Sequence, residues 1–351
     1  MKIAVYAISK NEEKFIERFY ESAKDADHIL IADTGSTDNT VAVAKKYEKI
    51  TIYNIGVKPW RFDDARNTSL ALVPHDIDIC ISLDLDEVLS SGWRNIIESN
   101  FVDGTNKLKY LYDWGSGVRF KIDKIHSRFG YRWKYPCHEI LVPDARTIEK
   151  IKDIPDLLIE HYPDTTKSRG SYLELLKCGT QEMPQDARIS FYYGRELFFA
   201  KLWDFAITEL SRYVELPSAK WNAEKAYAMR IISKCLIEKK DLKKALTWIE
   251  KGIKIAPERR ESWYYLAYIK YLTKDWKECL IAAEKTINHE INRDYWPTEP
   301  IAWGAQPFDY AAISAFHLGK KELALKYGNL AVCMNPNDQR LLKNLEWYKK
   351  D

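Results

Sequence analysis

The stretch Cys80–Trp93, CISLDLDEVLSSGW, decides how the first half of the chain is read. Cys80, Ile81, Leu83 and Leu85 have the apolar character of a buried strand, and Asp84, Asp86 and Glu87 arrive where that strand would leave a sheet. Three neighbouring carboxylates repel one another, and burying them unpaired is costly. The pattern therefore demands positive charge nearby. Alternation along a strand would put Asp84 and Asp86 on one face. Two carboxylates on one side, at a strand's carboxyl end, make a hard-oxygen site suited to Mg2+ or Mn2+. An isolated pair of this kind also arises by chance as solvated loop acids.

Upstream, short apolar runs alternate with helical stretches. KIAVYAIS, HILIAD and ITIYNIG read as strands, and IDICISLDLDE as the fourth. EEKFIERFYESAKDA, STDNTVAVAKKY and FDDARNTSLALV read as helices between them. That rhythm predicts a doubly wound, Rossmann-like α/β sheet, whose ligands sit at the carboxyl ends of the strands. SKNEE, DTGSTD and DLDE all fall at such ends. Asp33 closes the second strand, Gly35 permits a tight turn, and Ser36, Thr37 or Asp38 can cap the next helix. No GxGxxG accompanies the turn, so a dinucleotide site is poorly supported.

From about Ser168 the apolar period becomes helical. Aligning Ala206, Ala245, Cys279 and Ala324 gives spacings of 39, 34 and 45 residues, and Pro217, Pro257 and Pro336 close three of the four units. The middle spacing equals the tetratricopeptide period, and the half resembles such repeats, with a generic helical bundle as the alternative. Residues 1–167 are thus expected to form the sheet domain and 168–351 the repeat domain. An insertion at 288–309, NHEINRDYWPTEPIAWGAQPFD, stretches the last spacing; it reads as a surface loop or as one reaching the catalytic face or an acceptor.

Bulk composition narrows the function classes. The 351 residues carry 54 Lys+Arg against 51 Asp+Glu, a net charge of +3, which indicates no nucleic-acid partner. The six cysteines lie far apart without a CxxC pair, as expected of reduced thiols in a cytoplasmic protein. No apolar run approaches the ~20 residues of a membrane span.

Taken in order, KNEE, DTGSTDNT, FDDARN and LDLDE resemble the large inverting glycosyltransferase family with the GT-A fold, in its branch with a C-terminal tetratricopeptide-like region. The resemblance implies a metal-dependent transfer of a sugar from a nucleotide-diphosphate donor, usually a UDP-sugar. It implies that Asp33 recognises the base and that Ile8, Asn11, Glu12, Arg66, Asn67, Asp84, Leu85 and His138 line the nucleotide-sugar site. Asp84 and Asp86 would hold Mn2+ or Mg2+, with His161 completing the shell, and Asp86 would also serve catalysis. Leu85 replaces the usual small residue between the two acids, a departure that would alter the sugar pocket. An inverting transfer needs a base. Glu139 in GYRWKYPCHEILVP is the candidate, with His138 orienting phosphate or packing in the core. Trp133 and Tyr135 stand as sugar-stacking or core residues. The acceptor is expected to be a peptide, a protein or a saccharide held by the helical half. The competing reading is a non-catalytic nucleotide-sugar-binding scaffold whose repeats bind a protein.

Overall fold

The computed structural model describes residues 1–115, 118–164, 170–289 and 297–349. By internal contacts the chain divides into Met1–Gly179 and Thr180–Asp351. The boundary expected between 167 and 168 lies outside the described residues.

The first unit opens with β1 (Ile3–Ser9), α1 (Ile16–Ala23), β2 (His28–Asp33), α2 (Thr40–Ala44), β3 (Ile50–Asn54), α3 (Phe62–Leu72) and β4 (Ile79–Ser82). It continues with β5 (Glu87–Leu89), α4 (Trp93–Asn100), β6 (Lys107–Gly115), β7 (Val118–Ser127), β8 (Tyr131–Lys134), β9 (Ile140–Pro143) and β10 (Ile151–His161). Eight strands form one sheet in the order β3-β2-β1-β4-β7-β6-β10-β5, and β8 and β9 pair separately. From β3 to β4 the strands are parallel. β7 then runs antiparallel to both β4 and β6. The sheet is therefore mixed, where the alternating rhythm predicted a doubly wound one. That rhythm stops at β4, and β6 and β7 form a hairpin that no helix separates.

The parallel strands are buried on both faces, which is why they read as continuous apolar runs. One face, with Ile3, Val5, Ile29, Ile31, Ile79 and Ile81, packs on Ile16 and Phe19 of α1. The other, with Ala4, Tyr6, Leu30 and Cys80, packs on Leu70 of α3 and on Trp133. Fully burying a side chain of the Ile or Phe class contributes about 1.5–3 kcal/mol, so α1, short as it is, is held by its apolar face. The helix expected over 36–47 shrinks to α2. Its first residues are engaged elsewhere: Thr40 Oγ1 accepts from the Glu12 amide at 2.7 Å and Asp38 from that of Glu13 at 3.2 Å.

The second unit is helical throughout its described residues. After α5 (Tyr172–Glu182), which straddles the division, come four hairpins: α6 (Ala187–Phe199) with α7 (Trp203–Glu215), α8 (Asn222–Glu238) with α9 (Leu242–Ile255), α10 (Arg260–Leu272) with α11 (Trp276–Asn288), and α12 (Gln306–His317) with α13 (Lys321–Met334). α14 (Gln339–Lys349) ends the described chain. Ala206, Ala245, Cys279 and Ala324 all sit fully buried in the second helix of their hairpins, so the alignment drawn from the sequence marks a structural repeat. Each hairpin turns on a residue with left-handed backbone: Lys201, Lys240, Lys274 and Gly319, at φ of 59°, 62°, 57° and 71°. These four positions are spaced as the buried small residues are. No helix among the described residues is long and apolar enough to cross a membrane.

Candidate active site

Register brings the first two polar clusters together. Ser9 and Asp33 are partners at the ends of β1 and β2. The Asp33 carboxylate accepts four hydrogen bonds: from Ser9 Oγ at 2.9 Å, Ser36 Oγ at 2.5 Å, and the amides of Gly35 and Ser36 at 3.0 and 2.9 Å. Burial would raise this carboxyl, yet the Ser36, Ser9 and Gly35 bonds hold it below the usual range. Asp33 is thus the organiser of its own turn, with its acceptor sites filled. Asn11, at φ 56°, accepts from the Thr37 amide at 2.7 Å and donates its own amide to Ser36 Oγ at 2.8 Å. The two loops form one stitched rim, beside which Ile8 is partly buried.

β4 ends at Ser82, two residues before the first acid. The Glu87 amide then donates to the Asp84 carbonyl at 2.9 Å, closing a turn that returns the chain as β5. Strand alternation therefore does not apply to Asp84 and Asp86. The turn sends them to different partners, while Leu85 goes into the core at 2% exposure.

Asp84 faces two cations. Arg66 Nη2 lies 2.7 Å from Oδ1, and Lys124 Nζ 3.2 Å from Oδ2. Burial pushes the carboxyl up, but Arg66 and then Lys124 outweigh it and hold Asp84 well below the usual carboxylate range. Arg66 also reaches Glu139 Oε1 through Nε at 2.5 Å and Ser82 Oγ through Nη1 at 3.3 Å, with its guanidinium 5.0 Å over the Trp133 ring. Lys124 continues to Glu87 Oε1 at 2.9 Å, where the Tyr112 hydroxyl also donates at 2.8 Å. Burial raises the Glu87 carboxyl, Lys124 opposes it, and Asp84 pushes it further up. The result is an alternating lattice, Glu139–Arg66–Asp84–Lys124–Glu87, at the carboxyl end of β4.

Asp86 stands outside that lattice. Its Oδ2 is 3.2 Å from His161 Nε2, and its carbonyl accepts from the Tyr162 amide at 2.8 Å. His161, at the end of β10, stacks beside Tyr112 and Trp114, with ring centroids 6.0 and 4.6 Å away. Among the described residues no three His, Cys, Asp or Glu side chains gather as a metal cage. The expected trio of Asp84, Asp86 and His161 is thus divided. Asp84 already has two cations, whereas the Asp86–His161 pair has no Lys or Arg partner among the described residues and offers one carboxylate and one imidazole. Mg2+ and Mn2+ sites commonly use one or two protein ligands and complete the shell with substrate phosphates and water, and the donor set of the pair is of that kind, whereas Asp84 is engaged by Arg66 and Lys124.

The remaining expected residues make contacts within the first unit. Asn67 donates to the Trp133 carbonyl at 2.9 Å and accepts its amide at 2.8 Å, tying α3 to β8 as a strand would. Trp133 and Tyr135 are 2% and 6% exposed, which makes them core residues and no sugar platform. His138, at φ 54°, meets the Tyr172 ring edge-on at 5.8 Å. Sequence reasoning missed Lys124. The pairing of Ile125 with Ile81 places it beside the end of β4, a relation invisible without the antiparallel register. It also missed a buried chain: Trp133 Nε1 donates to Tyr6 Oη at 2.9 Å, Tyr6 lies 3.0 Å from His126 Nε2, and His126 Nδ1 lies 2.7 Å from the Ser127 carbonyl. Burial pushes His126 down to about 3, so the ring is neutral and Tyr6 donates to it.

With this geometry in place, the comparison with known families is direct. Residues 5–98 match the family model described as glycosyl transferase family 2. The matched span holds Asp33, Arg66, Asp84 and Asp86. A protein of Rickettsia bellii named an uncharacterized glycosyltransferase is 34% identical over 111 residues, 31% of this chain and 36% of that one. One of Rickettsia conorii with a similar name is 31% identical over 112 residues, 31% of this chain and 37% of the other. The chain therefore spans little more than a third of the length of these relatives. Among solved structures, MamA is similar at a TM-score of 0.40 and 15% identity, over 51% of this chain and 99% of its own. PilW, a type IV pilus biogenesis factor, is similar at 0.40 and 16%, over 49% and 73%. Scores of this size leave the helical fold to be read from the hairpins themselves.

Proposed function

We propose that the first unit is a metal-dependent glycosyltransferase that moves a sugar from a nucleotide-diphosphate donor, a UDP-sugar foremost, to an acceptor hydroxyl with inversion at the anomeric carbon. The observation that carries this reading is the family match over residues 5–98 together with the acids and cations gathered at the carboxyl end of β4. Asp86 and His161 are the residues that would hold Mn2+ or Mg2+, which when bound supplies positive charge to the departing diphosphate.

The chain's own groups divide the remaining work. Arg66 and Lys124 hold Asp84 ionised and fixed. The rim of Asn11 and Ser36 bounds the nucleotide side of the site. Glu139 gives only Oε1 to Arg66, which leaves Oε2 to take the acceptor's proton as the new C–O bond forms and the bond to the diphosphate breaks. A peptide, protein or saccharide acceptor is proposed for the helical half.

A panel of nucleotide sugars, with released nucleotide measured with and without Mn2+, tests the reading. Release from one donor, abolished by chelation and by Asp86→Asn, is the expected result. NMR of the product's anomeric proton then reports inversion or retention. Binding of a donor with no release from the folded protein would instead support the scaffold.

A further inference from the structure

Arg230 of α8 is fully buried, and a buried guanidinium requires a counter-ion. Its carboxylate comes from far along the chain: Glu299 Oε2 lies 2.7 Å from Arg230 Nε. Lys234, one turn further on α8, reaches Glu299 Oε1 at 3.1 Å, and the Tyr265 hydroxyl of α10 donates to the same oxygen at 3.1 Å. The cations are positioned by aromatic rings. Arg230 lies 5.0 Å from the Tyr227 ring centroid, and Lys234 lies 5.0 and 5.3 Å from those of Phe198 and Tyr265. Arg230 Nη1 rests on Ser262 Oγ at 3.4 Å, and Nη2 is buried with no partner among the described residues. Burial would raise Glu299, but Arg230 and Lys234 outweigh it and keep the carboxyl below its ordinary value.

The two preceding residues are read as well. Arg259 donates to the Pro297 carbonyl, and the Thr298 hydroxyl donates to Glu261 at 3.1 Å. Glu299 itself has extended backbone, φ −121° and ψ 109°. Three consecutive residues that lead into the short helical turn Pro300–Trp303 thus meet separate polar partners on or beside α8 and α10, through the Pro297 carbonyl, the Thr298 hydroxyl and the Glu299 carboxylate. This is how a peptide groove reads a ligand, here filled by the protein's own chain.

We infer that the paired faces of α8 and α10 are a receptor for a peptide bearing a hydroxyl residue followed by an acidic one, occupied in cis by Pro297–Glu299. The inference stands whether or not the first unit transfers sugar. A segment tethered by a short connection competes at an effective concentration on the order of millimolar, so a peptide in trans meets a largely filled site in the wild-type chain.

The test uses the full chain and two fluorescent hexapeptides, PTEPIA, the sequence of residues 297–302, and PTQPIA, read by polarisation. Glu299→Ala is expected to bind PTEPIA about tenfold or more tighter than the wild type, and PTQPIA about tenfold more weakly than PTEPIA, as loss of a charged hydrogen-bonding partner predicts. Equal binding by wild type and variant, or equal binding of the two peptides, overturns the inference. Displacement of the label by inorganic phosphate at the same concentration as unlabelled PTEPIA would also overturn it, because the site would then read any small anion. Glu299→Gln, which keeps the side-chain volume, replaces the alanine variant if circular dichroism shows that one unfolded. Should both unfold, hydrogen exchange of the wild type decides. Saturating PTEPIA is expected to speed exchange at residues 298–303 relative to PTQPIA, and no difference refutes the receptor.

Discussion

Replacing Arg66 by Met keeps most of the buried stem and removes the charge between Asp84 and Glu139. Two carboxylates, 29% and 11% exposed, would then share the space at the end of β4. Removing one partner of a buried ion pair costs about 3–5 kcal/mol, mainly because the other charge is left uncompensated. Lys124 still faces Asp84 at 3.2 Å, so the expected loss lies at the low end, about 3 kcal/mol. In hydrogen exchange that is roughly 100-fold less protection for amides of β1 and β4 that open with the whole unit. The pH dependence carries the sign. The folded Asp84 carboxyl is held below its ordinary value, burial opposing and Arg66 prevailing. Its stabilising contribution is therefore fully present above the ordinary carboxylate range, near pH 4, and fades as pH falls through the lower folded value. The gap in protection between wild type and Arg66→Met should be wide at pH 7 and narrower at pH 3. Equal protection at pH 7, or a gap that does not narrow in acid, would refute the lattice as a source of stability.

Three further outcomes are expected. His126 is pushed down to about 3 by burial, so the unfolded chain binds its proton first; stability should fall by up to about 1.4 kcal/mol per pH unit between about 6.5 and 3, and His126→Gln should flatten that decline in acid denaturation series. Lys274→Gly relieves the left-handed backbone at an exposed turn and should stabilise the helical unit by about 0.5–1 kcal/mol, raising its melting temperature by about 2 °C; a lower melting temperature would refute it. Asp86→Asn should cut cation-dependent nucleotide release by about 100-fold or more while leaving circular dichroism unchanged, since Asp86 is outside the Arg66 lattice and Asn can keep the contact to His161.

The sheet was legible wherever burial on both faces wrote itself as an unbroken apolar run, and β1 to β4 follow those runs closely. β6, β7 and β10 carry charged residues at intervals, as in KIDKIHS, and belong to a hairpin-rich part of the sheet where no period announces the pairing. The acids after β4 were legible as a cluster needing positive charge. Their division between Arg66 and His161 was not, because it depends on a turn closed by one backbone bond between Glu87 and Asp84. The repeat was visible in Ala206, Ala245, Cys279 and Ala324, whose smallness is dictated by close helix approach. The lysines at the turns were hidden, since left-handed backbone is usually announced by glycine and only Gly319 obeys. Of the insertion at 288–309, residues 290–296 lie outside the described residues, and Glu299 beyond them contacts α8 and α10 of its own unit.

Within every hairpin the two helices are joined by three residues, 200–202, 239–241, 273–275 and 318–320. Between hairpins the described joins differ, with six residues at 216–221 and four at 256–259, and a longer stretch of sequence separates α11 from α12. Growth of the array is therefore permitted on one side only. New length enters where one module hands over to the next, and the packing inside each module is spared. Pro297–Glu299 lies in one of these handovers, so a seam between modules can carry a recognition segment while the helices on either side keep their packing.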